Sequence, residues 1–103
     1  MRVLVTGATE TLPRVFAKLV FRLWEHSDQR AEVSANPGLV PDALQETLRY
    51  DMPTQFLCRV VTQEIEFHGK TMKPGQPILF LYPSGNHDER EFENPDVFDI
   101  HRK

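Results

Sequence analysis

A carboxylate and a hydroxyl stand side by side at Glu10 and Thr11, in the stretch GATET at residues 7–11. Such a pair can relay a proton to a reacting group, and the small residues before it leave room for a flat ligand against a helix. The residue types alone favour a plainer interpretation: Gly7 and Ala8 allow close helix packing, and Glu10 faces water. The spacing alone does not choose between the two interpretations.

A second pair, Glu46 and Arg49, lies about one helical turn apart in the stretch LQETLRY, residues 44–50. On an exposed helix surface such a pair contributes well under ~1 kcal/mol. A buried pair needs a further partner, because two desolvated charges persist mainly where they fix a geometry. That partner would have to come from another part of the chain.

Cys58 is the only cysteine, which excludes an internal disulfide. The four histidines are too scattered for any recognised metal-ligand spacing, so we predict no metal site from spacing alone. Cys58 lies between Leu57 and Arg59 in a predicted strand and is most simply a small buried apolar residue. A competing hypothesis, a redox-active thiol, is favoured only by the adjacent Arg59.

The size and charge of the chain restrict its class. A length of 103 residues allows one small domain with a modest core. The formal net charge of -3 gives no footprint for a polyanion, so we expect no nucleic-acid partner. No apolar run reaches the length of a membrane span, and the first residues lack the features of a secretory signal. We expect a soluble, cytoplasmic chain that does not bind a membrane.

The hydrophobic pattern predicts a mainly α chain with a small β-sheet, an α+β fold. From residue 12 to residue 24, apolar side chains cover most of a helical circumference and leave only a narrow polar stripe. Such a helix is typical of the middle of a larger protein. Pro13 removes one backbone donor, so we expect the helix to be bent or locally opened at residues 9–11.

Two further helices are predicted after this one. A short polar helix begins at Ser27 or Asp28, and a break follows at residues 36–38. The next helix has Pro41 and Asp42 in its first turn and contains the Glu46–Arg49 pair.

The remaining sequence predicts strands and then a loop. A stretch rich in β-branched and aromatic residues favours two to four short strands, with turns at residues 68–70 and 73–75. Residues 83–103 are polar and rich in turn formers. We expect them to form a loop that is held in place by the rings of Phe92 and Phe98.

In this order, the pieces resemble the C-terminal half of a cytochrome P450, a haem-thiolate monooxygenase of the soluble bacterial type. GATET is similar to the small-small-x-acid-threonine motif of the family's central helix, and ETLR is similar to its Glu-x-x-Arg motif. Residues 84–102 are similar to its xANRDxxxFxxPDxFDxxR stretch, although Gly85 and His87 depart from that pattern. The resemblance covers the whole chain. It implies a partial cytochrome P450 fold: the end of the central helix, the Glu-x-x-Arg helix, short strands and the start of the meander loop.

The resemblance also implies a role for each candidate residue. Glu10 and Thr11 would deliver protons during oxygen activation, and the small residues Gly7 and Ala8 would make room above the haem. Arg59 matches the strand arginine that pairs with a haem propionate. The segment matching the family's substrate-pocket wall supplies Thr54, Phe56 and Leu57.

The resemblance assigns Arg102 as the third member of a Glu-Arg-Arg triad with Glu46 and Arg49. It therefore favours an internal brace over a surface ion pair. In such a brace the buried carboxylate would bind both guanidinium groups bidentately and satisfy both charges.

One departure from the family concerns the haem ligand. The family's iron is held by a cysteine in a glycine-rich loop after the triad's last arginine, whereas this sequence has one residue after Arg102. Cys58 does not match that position and is not the ligand. We therefore expect residues 1–103 to be a truncated, partial cytochrome P450 domain, incomplete at both ends. Alone it would be inactive and would not bind haem stably.

The function implied for the complete family member is insertion of one oxygen atom from O2 into a small apolar organic molecule. Haem would be its cofactor, and a ferredoxin-type protein would supply its electrons. The alternative is a non-catalytic, truncated helix-and-strand module. It would bind a protein partner through the apolar face of its first helix, or be a pseudogene product.

Overall fold

The computed structural model describes Val5 and residues 7–102. The helices that precede the strands are, in chain order, a π-helical turn Gly7–Thr11, α1 Leu12–Glu25, α2 Ser27–Ala35, a 3-10 turn Pro37–Leu39 and α3 Val40–Tyr50. They are followed by β1 Phe56–Val60, β2 Ile65–Phe67, β3 Lys70–Met72, β4 Pro77–Leu81 and the short helix α4 Tyr82–Asn86. Helices with two small antiparallel sheets confirm the predicted α+β fold.

The first helix opens where the sequence predicts. Pro13 has no N–H to bond to the carbonyl of residue 9, and the π-helical turn Gly7–Thr11 ends just before α1 begins. A π-turn is wider than an α-turn, so this segment absorbs the missing hydrogen bond without ending the helix. The expected local opening at residues 9–11 is thus confirmed.

The strands form two antiparallel pairs. β1 pairs with β4, and Arg59 lies opposite Ile78; β2 pairs with β3 in a hairpin. At the hairpin tip, His68 has φ 49° and Gly69 has φ 70°, the left-handed conformations that a tight two-residue turn requires. Both predicted turns are present, and Gly75 in the second has φ 88°.

The core is small and lies on one side of α1. Leu19 of α1 packs with Ala43 of α3 and with Phe98 and Ile100 of the last described segment. Val15 of α1 is also buried and Leu23 is half-buried. Five large apolar side chains of this helix remain about half exposed or more: Leu12, Phe16, Val20, Phe21 and Trp24. The broad apolar circumference predicted from the sequence is therefore present, but the described chain covers only part of it.

The overall shape agrees with this limited core. The Cα atoms extend over 52 × 38 × 20 Å and have a radius of gyration of 17.3 Å. A compact domain of this length would have a radius of gyration of about 13 Å. The chain is thus a flat arrangement with much of its apolar surface uncovered. None of the described helices has the length and apolarity that crossing a bilayer requires.

Two expectations about local environment need correction. Cys58 is exposed rather than buried, because β1 belongs to a two-stranded sheet and all five of its residues remain exposed. The predicted loop also begins later than expected, since residues 82–86 form a helical turn that has a proline near its start. We call the irregular segment after this turn, residues 87–102, the meander loop. Phe98 is 1% exposed and holds this loop in the core, while Phe92 is half-buried.

Candidate functional site

Helix α3 places an ion pair on its buried face. Glu46 is 4% exposed and Arg49 is 9% exposed, and one helical turn brings their side chains together. Arg49 Nε donates to Glu46 Oε2 at 2.8 Å, and Nη2 donates to Oε1 at 2.7 Å. This fork is the strong, planar arrangement that guanidinium and carboxylate groups favour.

Arg102 approaches the same carboxylate from the meander loop. Its Nε lies 3.3 Å from Glu46 Oε2, so the three predicted triad residues meet in one cluster. The predicted bidentate contact is found only for Arg49. Arg102 instead donates its two outer nitrogens to backbone carbonyls, at 2.6 Å to Glu93, 3.1 Å to Asn94 and 2.9 Å to Val97.

The same loop and the last residue of α4, Asn86, supply backbone partners that sequence reasoning missed. Arg49 Nη1 donates to the carbonyls of Asn86 and Pro95, both at 2.8 Å, and Glu46 Oε1 accepts from the backbone N–H of Asp99 at 2.9 Å. No buried side-chain nitrogen or oxygen among the described residues lacks a hydrogen bond. The buried charges are thus fully compensated, and the cluster fixes the loop to α3. Backbone partners leave no residue-type signal by which a motif could reveal them.

A second ion cluster joins α1 to the end of α3, and it too was missed. Asp51 binds Lys18 through one carboxylate oxygen and Arg22 through the other, with Arg22 Nη2 2.7 Å from Oδ2. Arg22 also pairs with Glu25 at 2.7 Å and lies 5.2 Å from the centre of the Tyr50 ring. Partial burial raises the pKa of Asp51, but the hydrogen bonds from Lys18 and Arg22 outweigh it and leave the pKa below its ordinary value of 3.8.

The Asp51 cluster leads to a pH-dependent prediction. Because the pKa of Asp51 is lowered by folding, its contribution to stability is present above the ordinary value of 3.8 and is lost as the pH falls through the lower folded-state value. We expect Asp51→Asn to lower the free energy of unfolding by about 1 kcal/mol at neutral pH. The difference from the wild type should shrink towards zero as the pH falls below 3.8 and through the lowered folded-state pKa of Asp51. Urea denaturation at a series of pH values measures it.

The matched control for this prediction is Glu66→Gln, which removes an exposed carboxylate from β2. It should leave the free energy of unfolding within about 0.5 kcal/mol of the wild type at every pH. If Asp51→Asn lowers the free energy of unfolding by the same amount from neutral to acid pH, the lost stability comes from packing and not from charge.

The predicted proton-relay residues sit on the π-helical turn. The Glu10 side chain is 61% exposed, and its Oε2 lies 3.9 Å from Nη2 of Arg14. Thr11 is exposed as well, and Gly7 and Ala8 belong to the same turn. Both polar side chains therefore face outward from the described chain, where a ligand or further polypeptide can reach them.

Arg59 has the features that a propionate-binding residue needs. It is exposed on β1, and its Nη1 donates to the carbonyl of Cys58 at 3.0 Å. No carboxylate within Val5 and residues 7–102 forms an ion pair with it. A guanidinium with donors to spare suits a carboxylate ligand, so this residue fits a haem propionate.

The predicted substrate-wall residues flank the start of β1. Thr54 is half-buried, whereas Phe56 is 57% exposed and Leu57 is 41% exposed. A cleft of about 420 Å³ lies beside the triad, and its border contains none of these three residues.

Metal ligands do not cluster in the part of the chain that the structure describes. No group of three or more His, Cys, Asp and Glu side chains lies close enough there to hold a metal ion. The Cys58 thiol donates to the carbonyl oxygen of Arg59 at 3.6 Å.

The motifs, the fold and the triad geometry agree with the comparison to known families. The family model described as cytochrome P450 matches residues 29–102. The chain belongs to the cytochrome P450 family. Cytochrome P450s use haem iron as their cofactor.

Individual cytochrome P450s show how much of the domain this chain represents. It is 36% identical over 99 residues to the biotin biosynthesis cytochrome P450 of Bacillus subtilis, covering 96% of this chain and 25% of that protein. It is 37% identical over 99 residues to the 20-oxo-5-O-mycaminosyltylactone 23-monooxygenase of Streptomyces fradiae, covering 96% of this chain and 24% of that protein. The chain thus spans about a quarter of the length of these relatives.

A solved structure shares the fold at the same coverage. The crystal structure of P450BioI in complex with an acyl carrier protein ligated to hexadec-9Z-enoic acid superposes with a TM-score of 0.92 at 36% identity. The match covers 98% of this chain and 26% of that one. The described helices and strands therefore have the arrangement of a cytochrome P450 segment.

Proposed function

We propose that this chain forms the part of a haem-thiolate monooxygenase that carries the proton-relay pair, the propionate arginine and the triad. The observation that carries the proposal is the buried cluster of Glu46, Arg49 and Arg102, with its 2.7 and 2.8 Å fork. The reaction we propose is insertion of one oxygen atom from O2 into a small apolar molecule. We further propose a ferredoxin-type electron donor and a cytoplasmic location.

In this proposal the residues of the chain hold the cofactor and move protons. When bound, the haem supplies the oxygen chemistry. Arg59 would hold it by pairing with a propionate, because its guanidinium has donors to spare. The Thr11 hydroxyl can donate one proton and accept another, and the Glu10 carboxylate next to it can exchange protons with solvent. The triad would keep α3 and the meander loop in fixed positions.

The substrate class rests on the side chains at the start of β1. Phe56 and Leu57 present apolar surface, and Thr54 adds one hydroxyl. Such a wall favours a mainly apolar ligand with few polar groups. It does not select among individual molecules of that class.

The apolar face of α1 does not favour a separate, non-catalytic role as an interaction module. Phe16 and Trp24 are exposed on that face, and such exposure is also expected when a chain spans a quarter of the length of its relatives. The face therefore does not distinguish the two functions. The buried triad favours the enzyme.

A chimaera tests the proposed function. The matching segment of the B. subtilis biotin biosynthesis cytochrome P450 is replaced by this chain, using the 99-residue alignment. We expect the purified chimaera to contain haem and, after reduction under carbon monoxide, to show the Soret band of a thiolate-ligated cytochrome P450. Arg59→Gln in the chimaera should reduce haem content, because the propionate loses its charged partner.

The control is the equivalent substitution at Arg30, an exposed arginine on α2 that is not assigned to the site. Arg30→Gln should leave haem content unchanged. A folded chimaera that binds no haem would contradict the proposed function. Equal haem content in the Arg59→Gln and Arg30→Gln chimaeras would contradict the role proposed for Arg59.

A further inference from the structure

The Gln29 side chain of α2 binds the backbone on both sides of Asp99. Its Nε2 donates to the carbonyl oxygen of Phe98 at 2.9 Å, and its Oε1 accepts from the backbone N–H of Ile100 at 3.0 Å. Only this orientation of the amide satisfies both contacts, because the reverse would set oxygen against oxygen and N–H against N–H. The glutamine side chain is thus matched to the backbone here in its donor, its acceptor and its length.

The two backbone groups that Gln29 binds have little access to water. Phe98 is 1% exposed and Ile100 is 2% exposed. A buried N–H or carbonyl that loses its partner carries the full cost of its desolvation. Gln29 is half-buried and lies 69 and 71 positions away from them in the chain. The two hydrogen bonds therefore join distant segments where solvent cannot replace them.

Asp99, the residue between these two groups, binds the triad. Its backbone N–H donates to Glu46 Oε1 at 2.9 Å, and its carbonyl oxygen accepts from the backbone N–H of Arg102 at 3.2 Å. Arg102 Nε in turn lies 3.3 Å from Glu46 Oε2. We call residues 98–102 the triad turn. Its backbone is bound by Glu46 from α3 and by Gln29 from α2.

Helix α2 has no buried side chain with which to hold this turn. None of its nine residues is buried, and Val33 packs against the core only in part. A further polar contact joins His101 Nε2 to Glu32 Oε2 at 2.7 Å, but both side chains are about half exposed, so water screens the pair. The hydrogen bonds of Gln29 reach buried groups instead, and they are therefore the stronger connection between α2 and the triad turn.

We propose that Gln29 is a positioning residue that holds the triad turn and thereby places Arg102 against Glu46. The amide acts on the arginine through the backbone of residues 98–102. The inference deepens the proposed function and rests on the bracing role given there to the triad. It adds α2 to that brace: α3 supplies the carboxylate, and α2 fixes the backbone that carries the second arginine.

Hydrogen exchange in the wild-type chain gives the first test. The backbone N–H of Ile100 is bonded to Gln29, and that of Asp99 is bonded to Glu46. If one opening of the triad turn breaks both bonds, folding should slow the exchange of the two amides by the same factor. Factors that differ by more than about tenfold, which exceeds the net contribution of one hydrogen bond, would overturn the proposal.

Gln29→Met gives the second test, because methionine keeps the length of the side chain and removes its donor and its acceptor. We expect the Ile100 amide, the Asp99 amide and the Arg102 Nε–H to exchange about tenfold faster than in the wild type. The Arg49 Nε–H should keep its slow exchange, because its ion pair lies within α3. Faster exchange at Ile100 alone would overturn the proposal, since Gln29 would then hold only its own two partners.

The matched control is Gln63→Met, the same change at an exposed glutamine outside α2 and the triad turn. It should leave all of these exchange rates unchanged, and a change equal to that in Gln29→Met would also overturn the proposal. If Gln29→Met speeds exchange at Arg49 by the same factor as in the triad turn, the variant unfolds as a whole, and the wild-type measurement decides.

These measurements need neither haem nor turnover. A wild-type chimaera without haem would contradict the proposed function and leave the exchange result standing. The failure of the proposed function and the failure of the role of Gln29 are therefore distinguishable.

Discussion

Glu46→Gln is expected to lower the free energy of unfolding by about 3–5 kcal/mol, the cost of leaving a buried cation without its counter-charge. The Glu46 side chain is 3% exposed and faces the 8% exposed side chain of Arg49, so water cannot replace the lost carboxylate. Small domains have a total free energy of unfolding of about 5–15 kcal/mol. The variant should therefore melt far below the wild type or fail to fold, and circular dichroism against temperature or urea measures this.

Two further variants show whether the charge and the geometry of the Glu46–Arg49 pair both contribute to the free energy of unfolding. Glu89→Gln removes an exposed carboxylate from the meander loop and should change the free energy of unfolding by less than about 0.5 kcal/mol. Arg49→Lys keeps the charge but loses the planar fork, and should fall between the wild type and Glu46→Gln. A Glu46→Gln variant as stable as Glu89→Gln would mean that the cluster does not brace the fold.

Features determined by neighbouring residues could be predicted from the sequence. The π-helical opening follows from Pro13, which acts through its own missing N–H. The hairpin tip follows from Gly69, which adopts a positive φ without steric cost. The spacing of Glu46 and Arg49 follows from one helical turn. Each of these depends on a few adjacent residues, which is what a sequence pattern records.

Features that depend on distant contacts could not be predicted. The Asp51 cluster joins residues 29 and 33 positions apart, and no periodicity relates them. The carbonyl partners of Arg49 are backbone atoms, which every residue carries. The exposure of Cys58 depends on how many strands lie beside β1 and on what covers the sheet. Arg102 was assigned to the triad only through the family resemblance.

A large loss of turnover is expected when the proton-relay pair, Glu10 and Thr11, is altered in the chimaera. Thr11→Val keeps the shape of the side chain but removes its hydroxyl. We expect it to lower the rate of substrate oxidation by about 100-fold, the lower end of the range for a positioned proton donor. Haem content should not change, because Thr11 is not assigned to hold the cofactor. Turnover of the parent enzyme's substrate, normalised to haem, measures the effect.

Matched substitutions separate the hydroxyl of Thr11 from its neighbours. Thr9→Val makes the same change two residues earlier in the π-helical turn, where the hydroxyl donates to the Val5 carbonyl at 2.6 Å, and should leave turnover nearly unchanged. Thr11→Ser restores the hydroxyl and should recover most of the rate. Glu10→Asp should retain more activity than Glu10→Gln, because only the former can exchange a proton as a carboxylate. If Thr9→Val and Thr11→Val reduce turnover equally, the loss comes from the helix and not from proton delivery, and the role assigned to Thr11 is wrong.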